Sequence, residues 1–345
     1  MSVSAVIVTH DGWPLLRECL TALREQVRRP DQVLVVDNGS RDETRSRLWR
    51  EFPEVEVVDA ERNLGFAAGN NLGIKRSSGD VVVLLNNDAI AEPEFVGALT
   101  APLGEDPLLG ASAASMVFSR APDIVASAGI RVFANGVALD RGVGLPLGEL
   151  NRDVEVFGAS AGAAAYRRAA LTDVGLFAEP FFMYLEDVDL AWRLRLRGWS
   201  TLHATGAIVR HHYSASAAEG SPLKRRLLAR NRMWTITRCV PGPLLWRNLH
   251  RIVAYDAGAF GYALVHGDGA SARGRLEGVA GLPSRLRERR AIQARAATPA
   301  SALARWLEPS PAPSEILRLR RLTASLATGP RVDIETHVGR ASGGG

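Results

Sequence analysis

The chain has 345 residues, 46% of them hydrophobic and 23% charged, with a formal net charge of +5. That composition is globular, and it excludes wholesale disorder, a collagen-like repeat and a coiled-coil rod. Two cysteines, Cys19 and Cys239, are too few and too far apart for a disulfide framework or a CxxC metal knuckle, and they suit a reducing compartment.

The first ninety residues alternate strand and helix signals. Ala5-Val6-Ile7-Val8 is a short apolar run, the pattern of a parallel strand buried on both faces. Pro14 opens a helix whose apolar positions are Leu15, Leu16, Cys19, Leu20, Leu23 and Val27. Val33 to Val36 is a second strand, ending at Asp37-Asn38-Gly39-Ser40. Thr44 to Phe52 reads as a helix, Val55 to Val58 as a third strand and Ala67 to Lys75 as a helix of small residues. Val81 to Leu85 is a fourth strand, ending at Asn86-Asn87-Asp88. Such alternation predicts a mostly parallel α/β sheet covered by helices, with ligands beyond the carboxyl ends of the strands. The polar clusters at Thr9-His10, Asp37-Asn38 and Asn86 to Asp88 all fall at those ends.

Residues 100–170 carry weaker signals. Ile130 to Phe133 and Val154 to Phe157 are β-like, and Gly158 to Gly162 is small enough for a backbone that approaches a ligand or another strand. An aromatic lead-in, Phe181-Phe182-Met183-Tyr184, then reaches Glu186-Asp187 and Asp189 at the start of a helix that Gly198 stops. Thr201-Leu202 and Ala207 to Val209 lead to His211-His212. Basic amphipathic helices are expected over Leu223 to Cys239, Leu244 to Val265 and Leu286 to Leu307. Pro309, Pro311 and Pro313 mark a linker, and Arg340 to Gly345 reads as disordered.

Charge is unevenly spread. Residues 1–210 hold 21 basic and 28 acidic side chains, whereas residues 211–345 hold 21 basic and 9 acidic. A basic C-terminal third suits an anionic partner surface. No spanning helix is expected, because the longest stretch without a charged residue is the 13 residues from Pro107 to Ser119, against roughly 20 needed. An apolar run from Val3 without a basic region before it does not read as a secretory leader.

Taken alone, the polar clusters have two readings each. Asp37 can accept hydrogen bonds from a pyrimidine imide or a ribose, or it can simply cap a strand-to-helix turn. Asp88 can hold a hard divalent cation on a diphosphate, or sit in a polar turn. Glu186 and Asp187 can answer a helix dipole, but a carboxylate among aromatics also suits a general base. At most one of His211 and His212 can serve a site, because neighbours in a strand point opposite ways.

Together these pieces resemble the family 2 glycosyltransferases. Val6-Ile7-Val8-Thr9-His10 with Val35-Val36-Asp37-Asn38-Gly39-Ser40 resembles their opening, and Arg62-Asn63-Leu64-Gly65-Phe66-Ala67-Ala68-Gly69-Asn70-Asn71 their next signature. Leu84-Leu85-Asn86-Asn87-Asp88 resembles the DxD region, and Tyr184 to Leu190 with Arg193, Gly198 and Trp199 the ED motif. The order is preserved over about residues 3–215, and the rhamnosyltransferase-like branch is the most similar, down to a basic tail with Arg230-Asn231-Arg232-Met233-Trp234.

The resemblance implies a GT-A domain over residues 1–217; the basic amphipathic pattern marks a helical region over 218–308 suited either to a membrane surface or to packing, and a Pro-rich linker, short helix and tail follow over 309–345. It implies donor contacts by Thr9, His10, Asp37, Arg62, Asn63, Asn87 and Asp88, with Asp187 as catalytic base and Glu186 and Trp192 in the acceptor or sugar pocket. Mg2+ or Mn2+ would be held by Asp88 and His211; the DxD region departs from its pattern at Asn86, leaving Asp88 its sole carboxylate. The implied reaction is an inverting transfer from a dTDP- or UDP-linked sugar, rhamnose or a similar one. The acceptor would be a glycan or lipid-linked hydroxyl in cell-envelope polysaccharide synthesis, and the place the cytoplasm, either free or peripheral at the inner face of the cell membrane.

Rival readings fit less well. An NAD-dependent Rossmann enzyme needs a Gly-rich turn after the first strand, where this chain has Thr9-His10-Asp11-Gly12-Trp13-Pro14. A sugar-phosphate nucleotidyltransferase would carry a Gly-rich Arg/Lys loop near the start. A basic module binding nucleic acid lacks any recognised motif, so nucleic acid is not an expected partner. For the basic helices the alternative to membrane is packing on the catalytic domain or a homodimer contact.

Overall fold

Apolar runs near the start of the chain become the middle of a large sheet. The computed structural model describes residues 1–212 and 220–328. In chain order the first elements are β1 (Val3–Thr9), α1 (Trp13–Arg24), β2 (Gln32–Asp37), α2 (Thr44–Glu51), β3 (Glu56–Asp59), α3 (Gly65–Arg76) and β4 (Val81–Asn86). Next come β5 (Ala89–Ala91), α4 (Phe95–Glu105), β6 (Leu109–Phe118), β7 (Ala121–Ser127), β8 (Ile130–Phe133), β9 (Ala138–Asp140), β10 (Val154–Glu155), β11 (Ala163–Arg167), α5 (Arg168–Val174), α6 (Glu186–Arg197) and β12 (Ser200–His211). The remainder is α7 (Pro222–Cys239), α8 (Gly242–Val265), α9 (Gly269–Ala280), α10 (Leu282–Ala294), α11 (Ala300–Leu303), β13 (Leu307–Glu308) and α12 (Pro313–Thr328).

The main sheet has the order β10-β12-β6-β11-β4-β1-β2-β3, with β5 added beside β12 and β7 beside β6. Its β4-β1-β2-β3 half is parallel, as the alternating pattern predicts. The other half is mixed, because β11 runs antiparallel between β4 and β6. Helices cover both faces, giving two apolar layers. One joins Ile7, Leu85 and Ala114 to Leu16, Phe95 and Leu99; the other joins Val6, Leu34 and Leu84 to Ala67, Ile74, Leu190 and Leu194. The small residues of α3 allow close approach to the sheet: a Cβ on Gly73 would sit 2.3 Å from Val6 Cγ1.

β6 is ten residues long and buried throughout, yet its Leu-Gly-Ala-Ser-Ala-Ala-Ser-Met composition carries little strand propensity. The expected helix over Leu286 to Leu307 is instead α10, α11 and β13. Thr298-Pro299 interrupts it, since the residue before a proline avoids helical geometry. β13 then pairs with β8, so the segment closes a second sheet of order β13-β8-β9. The expected disorder of Arg340 to Gly345 lies outside the described residues.

α7 corrects a further expectation. Its arginines do not form a free cationic face. Arg225 pairs with Asp268, Arg226 with Glu277, Arg232 with Asp256, and Arg238 with Asp189 and Glu288. The helix packs between α6, α9 and α10, with Leu227, Asn231, Trp234 and Ile236 buried. Among the described residues, no helix is long and apolar enough to cross a membrane.

Candidate active site

The carboxyl ends of β1, β2 and β4 lie side by side, with Thr9 opposite Asp37 and Val8 opposite Asn86. Asp37 is fully buried. Its Oδ1 accepts from the Ser40 amide at 2.8 Å and its Oδ2 from Arg45 Nε at 2.8 Å. Arg45 in turn reaches Asp59. Thr9 is nearly as buried, and its hydroxyl accepts from Asn87 Nδ2 at 3.1 Å. His10 is exposed, its Nδ1 3.1 Å from the Asn38 carbonyl. Arg62 and Asn63 are exposed beside this turn. Asn38 Nδ2 donates to Asn63 Oδ1 and to the Gly65 carbonyl, and Asn38 Oδ1 accepts from the Leu64 amide. Asn38 thereby fastens the Arg62-Asn63 segment to the end of β2.

Asp88 and His211 meet at the other edge. His211 Nε2 lies 3.0 Å from Asp88 Oδ1 and 3.1 Å from Asn86 Nδ2. Strand pairing enforces the contact, because His211 at the end of β12 stands opposite Ala89 in β5. Burial alone would raise the Asp88 carboxyl; His211 and its hydrogen bond outweigh that and hold it below the ordinary carboxylate value. Asp88 Oδ1 and His211 Nε2 face each other directly in this structure, and both are atom types that can ligate a divalent cation, with donor phosphates able to supply further ligands. Among the described residues, no group of three or more His, Cys, Asp or Glu gathers around a common point. His212 turns away toward Glu18.

α6 carries the second group of carboxylates. Asp187 Oδ2 accepts from the Ala161 amide at 3.3 Å and Oδ1 from the Val188 amide at 2.8 Å. Burial pushes its carboxyl up to about 6; the Ala161 bond opposes the rise and the charge of Asp140 adds to it. Glu186 is buried, its Oε2 has no hydrogen-bond partner, and burial and then Asp187 drive its carboxyl well above the usual range. Asp189 behaves oppositely. Burial would raise it, but Arg193 and Arg238 hold it below its ordinary value, with Cys239 Sγ 3.2 Å away. Asp189 is thus a strut between α6 and α7.

Residues 158–162 bring the two groups together. Gly162 accepts a hydrogen bond from the Asn86 amide at 2.8 Å, while its neighbour Ala161 donates to Asp187. A Cβ on Gly158 would overlap the Ala191 methyl at 2.3 Å, so the small-residue run lies directly on α6. Trp192 is not part of this assembly. It is 3% exposed and packs at 4.9 Å against Phe157, in an apolar cluster with Leu196 and Ile236. The i to i+5 step from Asp187 turns Trp192 onto another face of the helix. Asp140 had no signal in the sequence; Asn38 and Ala161 lay in segments that did.

The family description Glycosyl transferase family 2 matches residues 4–175. The N-acetylglucosaminyl-diphospho-decaprenol L-rhamnosyltransferase of Mycobacterium tuberculosis is 29% identical over 236 residues, covering 61% of this chain and 76% of the relative. Among solved structures, S. aureus TarS 1–349 in complex with UDP-GlcNAc superposes with a TM-score of 0.52 at 18% identity, covering 96% of this chain and 93% of that one. GalNAc-T7 with UDP, GalNAc and Mn2+ gives 0.56 at 16% identity, covering 69% of this chain and 48% of that one. These structural likenesses establish the GT-A arrangement of sheet and helices.

Proposed function

The chain belongs to glycosyl transferase family 2 through residues 4–175, and from that premise we propose an inverting transferase that moves rhamnose, or a similar sugar, from a dTDP- or UDP-linked donor to a lipid-linked glycan hydroxyl. The carrying observation is Asp187: a carboxylate held by a backbone amide, raised to about 6, next to the segment that contacts the Asp88 strand end. A base near that value is ionised at neutral pH yet basic enough to accept a proton.

In this reading Arg62, Asn63, His10, Thr9 and Asn87 border the nucleotide, and Asp37 keeps the turn beneath it rigid. Asp88 and His211 would hold the divalent cation, which supplies charge neutralisation on the diphosphate. Asp187 removes the acceptor hydroxyl proton. The freed oxygen pair forms the bond to the anomeric carbon from the face opposite the leaving group, and the carbon–oxygen bond to the diphosphate breaks with its electrons on that oxygen. One base suffices, because no sugar–enzyme bond forms. Glu186, kept neutral by burial, has a proton to donate to a sugar oxygen.

The lipid acceptor is supported by the named chemistry of the mycobacterial relative and by the outer face of α8, where Trp246, Val253, Leu264 and Val265 are exposed. Arg247 and Arg251 are exposed on the same helix. Apolar and cationic side chains so interleaved suit the headgroup region of an anionic membrane. The proposed division at residue 217 follows from the change of character there; a homodimer is the competing role for the α8 face.

A donor screen tests the function. Purified protein is incubated with dTDP-rhamnose, UDP-sugars and GDP-sugars, Mg2+ or Mn2+, and a prenyl-diphosphate-linked N-acetylglucosamine. Transfer with inverted anomeric configuration by NMR, abolished by EDTA and restored by either metal, is expected. Retained configuration or full activity in chelator would overturn the respective part. Co-sedimentation should favour anionic over neutral vesicles and weaken with salt; indifference to both removes the membrane role.

A further inference from the structure

The aromatic segment before α6 is strained and externally held. Phe182, Tyr184 and Leu185 all have left-handed backbone angles, with φ of 65°, 69° and 65°. Non-glycine residues persist in that region only where surrounding structure over-determines them. Here the surrounding structure belongs to α7. Asn231 is completely buried. Its Nδ2 donates to the carbonyls of Phe181 at 3.1 Å, Met183 at 2.9 Å and Tyr184 at 2.7 Å. Arg230 Nη2 donates to the carbonyls of Pro180 and Phe181 at 3.2 and 2.9 Å, and Arg230 Nε donates to Asn231 Oδ1 at 2.9 Å. The Trp234 ring lies 5.9 Å from that of Phe181 and 4.3 Å from the Arg230 guanidinium.

From the other side, the Phe182 carbonyl accepts from the Ala67 amide at 3.1 Å. A Cβ on Gly65 would lie 2.4 Å from Phe182 Cδ2. The strained turn is therefore gripped between α7 and the start of α3, the segment that follows Arg62-Asn63. Its last residue, Leu185, is the N-cap of α6, two residues before Asp187.

We infer that Asn231, with Arg230, is a positioning residue for the catalytic base: α7 fixes the turn that aims Asp187. Asn231 touches no reacting atom and acts through the three carbonyls it binds. An asparagine suits the task because its amide presents two N–H donors in one plane to converging acceptors, while its own oxygen is satisfied by Arg230. The inference rests on Asp187 being the base. It assigns the basic C-terminal helices a role in turnover apart from any membrane contact.

The test uses the full chain with Asn231→Ala, isosteric Asn231→Asp, Arg230→Ala and, as control, Asp187→Asn. Two readouts are taken. One is release of dTDP from dTDP-rhamnose with Mg2+ and prenyl-diphosphate-linked N-acetylglucosamine. The other is amide hydrogen exchange over residues 181–189, which needs no activity. Displacing a reacting group by about 1 Å can lower the rate about 100-fold. Both Asn231 variants are expected to lose about 10- to 100-fold in kcat, with donor KM changed by less than about threefold. Arg230→Ala should lose less, and exchange should rise in the 181–189 segment while β1 and β4 stay protected. Unchanged kcat in Asn231→Ala and Arg230→Ala, or unchanged exchange in that segment, overturns positioning. Global loss of protection in Asn231→Ala with Arg230→Ala silent in both readouts also overturns it. Full activity of Asp187→Asn would instead sink the base assignment, leaving the exchange result to judge the grip of α7.

Discussion

The strand-end half of the site and the α6 half hold their carboxylates in opposite ways. At the strand ends each acidic group has a cationic or protonatable partner: Arg45 for Asp37 and His211 for Asp88. On α6, Asp189 is partnered by Arg193 and Arg238, whereas among the described residues no ion pair holds Glu186 or Asp187, and burial raises both. Asp88 and Asp189 are held below the ordinary carboxylate value by their partners and suit a ligand and an anchor respectively. The two without an ion pair are pushed toward the protonated form by burial, Asp187 to about 6 and Glu186 well above the usual range. Burial is common to both halves; the presence of a counter-charge separates them.

The largest test of that contrast is Asp187→Asn. Removing a general base lowers kcat by about 10²–10⁴-fold, and dTDP and UDP binding should stay within a few fold because the strand-end half is untouched. A variant with near wild-type turnover would end the distinction between the halves.

Trp192→Ala sharpens the boundary of the α6 half. Its ring is core, so the variant should lose about 3–5 kcal/mol of stability in urea unfolding. Any folded fraction should keep its preference among donor sugars. A changed sugar preference in stable protein would return Trp192 to the pocket.

Gly65 is a second place, besides residues 158–162, where the two halves touch. Its φ of +82° and its contact with Phe182 leave no room for a side chain. Gly65→Ala should destabilise by about 1–3 kcal/mol and should lower both donor affinity and kcat, measured by calorimetry and steady-state kinetics. An effect on one parameter alone would mean the halves are mechanically independent.

The smallest effect concerns pH. Asp187 is raised in the fold to about 6 from an ordinary value of 3.8. The fold therefore favours the protonated form. Between those values folding takes up a proton, and above about 6 the native protein carries an ionised carboxylate it disfavours. Asp187→Asn should consequently be more stable than wild type at pH 8, with the difference fading below pH 4. Wild-type kcat should fall as pH drops through about 6. Equal melting temperatures at pH 8 and an activity limb near 4 would contradict the raised value.

Much of the strand-end half was legible in the residues themselves. Ala5 to Val8, Val33 to Val36 and Val81 to Leu85 can only be buried strands, and polar residues at their carboxyl ends lie where an α/β sheet opens its crevice. The helical period of α6 and its Gly198 stop were equally local. Tertiary structure alone decided the rest. β6 is a strand because β11 and β12 flank it, not because Ala and Ser prefer that conformation. Trp192 and Asp187 share one helix, yet only packing determines which face meets Phe157 and which meets Ala161. The arginines of α7 looked like a cationic surface because charge in a sequence carries no record of its partner. Asp189, Asp256, Asp268 and Glu277 come from elsewhere in the chain to neutralise them. The hold of Asn231 on Phe181, Met183 and Tyr184 reaches back 50, 48 and 47 residues along the chain. It depends on backbone carbonyls, which every residue possesses and no sequence pattern distinguishes.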